Sequence, residues 1–332
     1  EIVHEAFRRA LSGVPGPVYI DYPQSVLQAQ LDLPPAPPPH SYRLVHQGAS
    51  AGAISQAVDL IKAASHPILL VGQGAFVSRA HDSVAALARA LACPVIQTSG
   101  GNTVLEGLEE RTFPYGSPVG TESVAKADVV VAVGTELGET LHYGRGRHWS
   151  KGNTNRKWIY IERDPLAIGV NRPIDVPLVG DLRDIVPQLT AAIAPLARTA
   201  PIELADWSRT HADQMRQLLE AVPTQSTPIH PARLAVEATR VLPKDAVIVR
   251  DGGATSMFFT ALLQNPPRDF MWNSNYGSIG PGLPYAVGAQ LAVGSARRVV
   301  LLTGDSSFLF HVSELETAVR KNLPIVCIVG VD

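Results

Sequence analysis

Between Val299 and Asp332 the chain runs VVLLTGDSSFLFHVSELETAVRKNLPIVCIVGVD, and no other stretch restricts its fold so much. Val299 to Leu302 and Ile325 to Val331 are short apolar runs rich in Val and Ile, which predicts two buried strands rather than helices. Between them Val312, Leu315, Ala318 and Val319 recur at helical spacing and mark the buried face of a crossover helix. A right-handed strand, helix, strand unit makes the two strands parallel neighbours. Asp305 and Asp332 then both follow strand ends, on the carboxyl edge where open α/β sheets take up ligands.

Two acids at that edge, beside the small residues Gly304, Ser306 and Ser307, suit a hard divalent cation and a phosphate together. Magnesium takes one or two protein carboxylates and completes its octahedron with water and phosphate oxygens. A turn over Gly304 to Ser307 can aim backbone N–H groups at the same phosphate, at the positive end of the following helix. Either acid alone reads as readily as a turn or capping residue. Their placement at matching strand ends is what favours a site.

The rest of the chain repeats the pattern. Pro67 to Val71, Pro94 to Gln97, Val129 to Val133, Trp158 to Ile161 and Val176 to Val179 alternate with helical stretches over residues 51–194, which predicts a doubly wound parallel sheet. After a connection at 195–230, with a helix expected from Ile202 to Leu219, the run Ala246 to Val249 opens a second α/β unit over 231–332. Residues 1–30 hold a helix and one expected strand, Pro17 to Asp21, too little for a domain. Residues 31–50 contain the proline-rich LPPAPPPH, Leu33 to His40, an extended linker. With 332 residues, 45 % of them hydrophobic, the chain has material for two cores.

Three stretches are glycine-rich, and the first two follow expected strands. Gly72-Gln73-Gly74, with Glu162-Arg163-Asp164 ending another strand, invites a dinucleotide reading, but GxG without its third glycine is weak and Asp164-Pro165 reads equally as a turn. Arg250-Asp251-Gly252-Gly253-Ala254-Thr255-Ser256 lets backbone approach a phosphate, although taken alone it is more simply a turn capped by Thr255. Asn275-Tyr276-Gly277-Ser278-Ile279-Gly280-Pro281-Gly282 leads into a helix of small residues, Tyr285 to Leu291, suited to tight packing. In HYGRGRH, His142, Arg145, Arg147 and His148 read as a solvated loop or an anion site, and His311 lies one helical turn past the acid turn.

A net charge of -2 gives no reason to expect nucleic acid or an acidic membrane as partner. No run approaches the roughly 20 apolar residues of a membrane span. Cys93 and Cys327 sit in apolar stretches and read as buried free thiols, which fits a reducing, cytoplasmic setting.

GDSSF, a helix, and a strand ending in Val331-Asp332 together resemble the thiamine diphosphate signature, which begins GDG and ends NN. Over essentially all 332 residues the chain looks like part of an enzyme of the acetolactate synthase family, a group that includes oxalyl-CoA decarboxylase, 2-hydroxyacyl-CoA lyase and benzaldehyde lyase. That resemblance implies two doubly wound parallel-sheet domains, a Rossmann-like central one and a thiamine diphosphate-binding one cut short at Asp332. Residues 1–30 would be the end of a pyrimidine-binding domain. It makes Gly253, Ala254, Thr255, Gly304, Asp305, Ser306 and Ser307 contacts of the cofactor's diphosphate, and Asp305 and Asp332 ligands of Mg2+. By the same match the carbonyl of Gly277 accepts from the aminopyrimidine, and Ile279 is the bulky residue that keeps the cofactor bent.

Several residues depart from the pattern. Ser306 stands for the third glycine, Val331-Asp332 for the two asparagines, and Ile279 for a more usual methionine. In acetolactate synthases the central domain carries FAD and in oxalyl-CoA decarboxylase ADP; here Gly134 to Glu139 replaces the arginine-rich segment, which counts against FAD. The family's catalytic glutamate comes from the first domain, so no catalytic residue is assigned and the piece alone is expected to be inactive. Its active sites form between subunits, which implies a homodimer or homotetramer. The expected activity is decarboxylation of a 2-keto acid with carboligation, as a transferase or lyase. The alternatives are a 2-hydroxyacyl-CoA lyase or oxalyl-CoA decarboxylase type acting on an acyl-CoA, and an inert homologue or nucleotide-binding module.

Overall fold

Among the described residues ten strands lie in two sheets, and every ladder between them is parallel. The computed structural model describes residues 2–30, 32, 34, 35, 37, 38, 41, 47–101, 105–262, 269–272 and 277–331. In the first sheet β1 (Pro67–Val71), β2 (Val95–Gln97), β3 (Thr112–Pro114), β4 (Val129–Val133), β5 (Lys157–Glu162) and β6 (Val176–Val179) lie in the order β3-β2-β1-β4-β5-β6. In the second, β7 (Val247–Arg250), β8 (Asp269–Trp272), β9 (Val299–Gly304) and β10 (Val326–Gly330) lie in the order β10-β9-β7-β8. The α/β class and the parallel pairing of β9 with β10 are as expected.

Burial explains the sequence pattern. β1, β4 and β9 are buried at every residue because helices cover both faces, so they read as unbroken apolar runs instead of alternating ones. One core of the first sheet joins Leu69, Val131 and Ile159 to the helices Ala51–Ala63, His81–Leu91 and Leu182–Ile193. The other gathers Trp149, Trp158, Tyr160 and Trp207. The connecting helix runs Leu204–Glu220 and reaches that core through Leu204 and Trp207. Among the described residues no helix is long and apolar enough to cross a membrane.

Four expectations change. Pro17 to Asp21 forms no strand, because no described strand lies beside it to complete a ladder. The crossover after β9 is two short helices, Asp305–Leu309 and Glu314–Arg320, and of its predicted buried face only Ala318 is buried, while Val319 is 78 % exposed. β10 is half-exposed, not buried, since it ends its sheet and nothing in the described chain lies beyond it. Cys93 is buried as expected, whereas Cys327 on β10 is only half-buried.

At the end of β6 the buried Asp181 caps helix Leu182–Ile193 by accepting from the Arg183 N–H at 2.9 Å, and it pairs with the Arg163 and Arg183 guanidinium groups. Burial pushes its pKa up, but the Arg183 hydrogen bonds and both positive charges outweigh this and hold it at about 2. The folded value lies below the unfolded one, so this stability is present above the unfolded pKa and is lost as pH falls through the folded one. Between about pH 5 and pH 2 the native chain should lose about 2 kcal/mol that Asp181→Asn does not lose, read as a narrowing gap between their urea midpoints.

Candidate functional site

From β7 the chain moves outward to β8 on one side, while β9 and β10 lie on the other. The carboxyl ends of β7 and β9 therefore form the switch point of the sheet, where its order reverses and a crevice opens. β7 leads into Asp251 to Ala254, and β9 into Gly304 and Asp305. The Gly304 N–H donates to the Gly252 carbonyl at 3.3 Å. Gly253 has φ +103°, a backbone reserved for glycine, and a Cβ there would lie 3.4 Å from the Gly304 Cα. Thr255 packs over the end of β10, for a Cβ on Gly330 would fall 2.4 Å from the Thr255 Oγ1.

Thus Gly253, Thr255 and Gly304 share one corner, as expected, and Ala254 opens helix Ala254–Leu262 beside them. Asp305 is half-buried, its Oδ1 accepting from the Ser306 N–H at 2.6 Å, and Ser306 is exposed. Ser307 is buried and its hydroxyl has no hydrogen-bond partner among the described residues. Asp332, the second expected metal ligand, lies outside the described residues. Among the described residues there is no group of three or more His, Cys, Asp or Glu arranged for a metal. A magnesium site with one or two carboxylates does not require one.

The second glycine loop is joined to this corner by a residue whose role its sequence context hid. The Asp251 carboxylate is buried and accepts from the Gly252 N–H at 2.6 Å, the Gly280 N–H at 3.0 Å and the Gly282 N–H at 2.8 Å. His311 adds to it, with Nδ1 2.9 Å from the Gly280 carbonyl. The result sets Ile279 against Gly252, where an added Cβ would lie 2.2 Å from the Ile279 Cγ2. Gly277 and Ile279 stay exposed. Asn275 and Tyr276 lie outside the described residues. The contacts of Asp251 span 29 and 31 residues, so no local motif announces them.

A cleft of ≈ 2090 Å³ runs between the two sheets, lined by Gln97, Tyr115 and His211 on one wall and by Arg250, Gly253 and Ile279 on the other. Arg250 is buried and lies over the Trp272 ring, 3.6 Å from its centroid. Burial pushes its pKa down to about 10, which leaves the guanidinium charged at neutral pH. The Trp272 carbonyl accepts from the Gln73 Nε2 at 2.7 Å, so a side chain of the first sheet holds the floor on which Arg250 rests.

Packing accounts for the GxG of the first sheet. A Cβ on Gly72 would fall 2.3 Å from the Gly134 carbonyl oxygen, and one on Gly74 2.7 Å from the Gly134 Cα. These glycines let two backbones touch between β1 and β4, at the switch point of the first sheet. Asp164 accepts from the Leu166 N–H at 2.8 Å and so makes a capped turn. HYGRGRH is not a loose loop: His142 Nδ1 lies 3.2 Å from the Tyr115 hydroxyl and His148 Nδ1 3.2 Å from Thr121 Oγ1, while Arg147 contacts His142 Nε2 at 3.1 Å.

Comparison with known proteins gives two family matches. Residues 54–189 match the thiamine pyrophosphate enzyme central domain, and residues 251–332 match the thiamine pyrophosphate enzyme C-terminal TPP binding domain. The acetolactate synthase large subunit of Parasynechococcus marenigrum (strain WH8102) is 32 % identical over 340 residues, covering 99 % of this chain and 53 % of that protein. Oxalyl-CoA decarboxylase of Escherichia coli (strain K12) is 29 % identical over 334 residues, covering 98 % of the chain and 57 % of that protein. The chain thus spans little more than half the length of these relatives. A solved Mycobacterium smegmatis protein, assigned as a thiamin diphosphate-dependent enzyme, shares the fold with a TM-score of 0.73 at 23 % identity, over 100 % of this chain and 62 % of that one.

Proposed function

We propose that this chain, which belongs to the thiamine pyrophosphate enzyme family, supplies the diphosphate-holding side of a thiamine diphosphate site used for decarboxylation and carbon–carbon bond formation. One observation carries this reading: the buried Ser307 hydroxyl has no partner among the described residues, at the point where Gly252, Gly253 and Gly304 meet without side chains. An unpaired buried hydroxyl is costly, and a phosphate oxygen would satisfy it. The corner therefore fits the group. Gly253, Ala254, Thr255, Gly304 and Ser306 would contact the diphosphate beside Ser307, and Asp305 with Asp332 would hold Mg2+. Gly277 would accept from the aminopyrimidine and Ile279 would brace its ring.

When bound, thiamine diphosphate supplies a carbon nucleophile and an electron sink for bond cleavage next to a carbonyl. The protein's part is to place it. Asp251 and His311 hold the 277–282 loop at its distance from the 252–255 loop, and the Ile279 side chain presents an apolar surface to the reacting end of the cleft. A 2-keto acid, as in acetolactate synthases, is the favoured substrate class. The cleft volume supports a second reading, an acyl-CoA, because it exceeds the roughly 300–1,000 Å³ of small-ligand sites. Burial of the exposed Phe310 and Val319 would favour a homodimer.

Titration of the full-length protein with thiamine diphosphate tests the site. Saturable binding should disappear with a chelator and return with Mg2+, and absence of binding with Mg2+ present refutes the reading. Assays with pyruvate, oxalyl-CoA and a 2-hydroxyacyl-CoA then separate the substrate classes.

A further inference from the structure

We propose that Arg250 recognises a substrate carboxylate in the cleft, one that the reaction retains. This rests on the cofactor assignment above for its chemical context, but its observations are separate. Arg250 is 6 % exposed, lines the cleft, has no partner for its Nε, and pairs with no carboxylate among the described residues. A buried cation without a counter-ion is expensive, and a protein that keeps one has a use for it. Gly252 and Gly253 line the same cleft, so the cofactor's diphosphate is the anion that competes with a carboxylate for Arg250.

The geometry favours a flat anion. The guanidinium lies on the Trp272 indole, which limits its tilt and leaves its N–H edge as the recognition surface. A planar fork of that kind matches the two oxygens of a carboxylate. Trp272 is in turn fixed through its carbonyl by Gln73, so the receptor is braced from both sheets. A guanidinium fixed on a carboxylate about to leave as carbon dioxide would stabilise the reactant more than the transition state. Arg250 therefore suits the carboxylate of an acceptor 2-keto acid, which stays on the product.

The test is equilibrium titration of the full-length protein, chelator-treated and without cofactor, with L-lactate as a carboxylate that cannot be lost and with inorganic phosphate as the competing anion. Arg250→Gln should weaken lactate binding about 10- to 100-fold, Arg250→Lys less, with phosphate and thiamine diphosphate affinities kept within about twofold. Because the buried charge is gone, the Tm of Arg250→Gln should not fall, as it would for a purely structural arginine. Unchanged lactate binding, no saturable lactate binding by the wild type, or a selective loss of phosphate or thiamine diphosphate binding each overturns the proposal. Failure of the wild type to bind thiamine diphosphate would instead refute the cofactor reading, leaving the dependence of lactate binding on Arg250 as a separate result.

Discussion

Asp305→Ala in the full-length protein is expected to weaken thiamine diphosphate binding in Mg2+ by about 100-fold or more, with little change in folding. Asp305 is half-buried at the start of a short helix, and among the described residues its carboxylate hydrogen-bonds only with its neighbour Ser306. Nothing distant depends on it, so the loss should fall on the ligand. Under the proposed assignment the metal would lose one of its two carboxylate ligands, and the diphosphate charge would be less compensated. Asp305→Asn retains one oxygen donor without the charge and should lie between. Cofactor titration at fixed Mg2+ reads the effect; a Kd within a few-fold of wild type would remove Asp305 from the metal site.

Asp251→Ala should act through the fold first and the cofactor second. It strips the acceptor from three backbone N–H groups at Gly252, Gly280 and Gly282, and an unmet buried N–H costs about 1–3 kcal/mol, so a total near 3–5 kcal/mol is expected. The loop that carries Gly277 and Ile279 then loses its tie to the loop after β7, and thiamine diphosphate affinity should fall with it. Asp251→Asn is isosteric but sets an amide donor against N–H donors, so it should recover only part of the stability. Urea unfolding and cofactor titration on the same samples separate the two effects. A melting point for Asp251→Ala equal to wild type would show that the three hydrogen bonds do not hold the site together.

How far the chain can be read without its fold depends on the kind of interaction. β1, β4 and β9 were legible because strands covered on both faces must be continuously apolar. β3, at three residues, is too short to show a period. The buried face expected at Val312, Leu315 and Val319 did not form because β10 ends its sheet, and strand order is not written in any one segment. Gly253, Thr255 and Gly304 were singled out through the family resemblance, since small residues after a strand read equally well as a plain turn, and the fold brings the three to one corner. Arg250 and Asp251 were passed over in the same loop, since their partners Trp272 and Gly280 are supplied by other loops.

By itself, then, the sequence determined the α/β class, the parallel pairing of β9 with β10 and the small residue types of the corner proposed to hold a phosphate, because apolar runs and turn glycines report local backbone needs. Only the tertiary structure decided that β7 and β9 meet at a switch point, that Gly72, Gly74 and Gly134 are spent on packing, and that a buried arginine faces the cleft. Those depend on which strand ends become neighbours, and that is set by the summed burial of both sheets rather than by any segment alone.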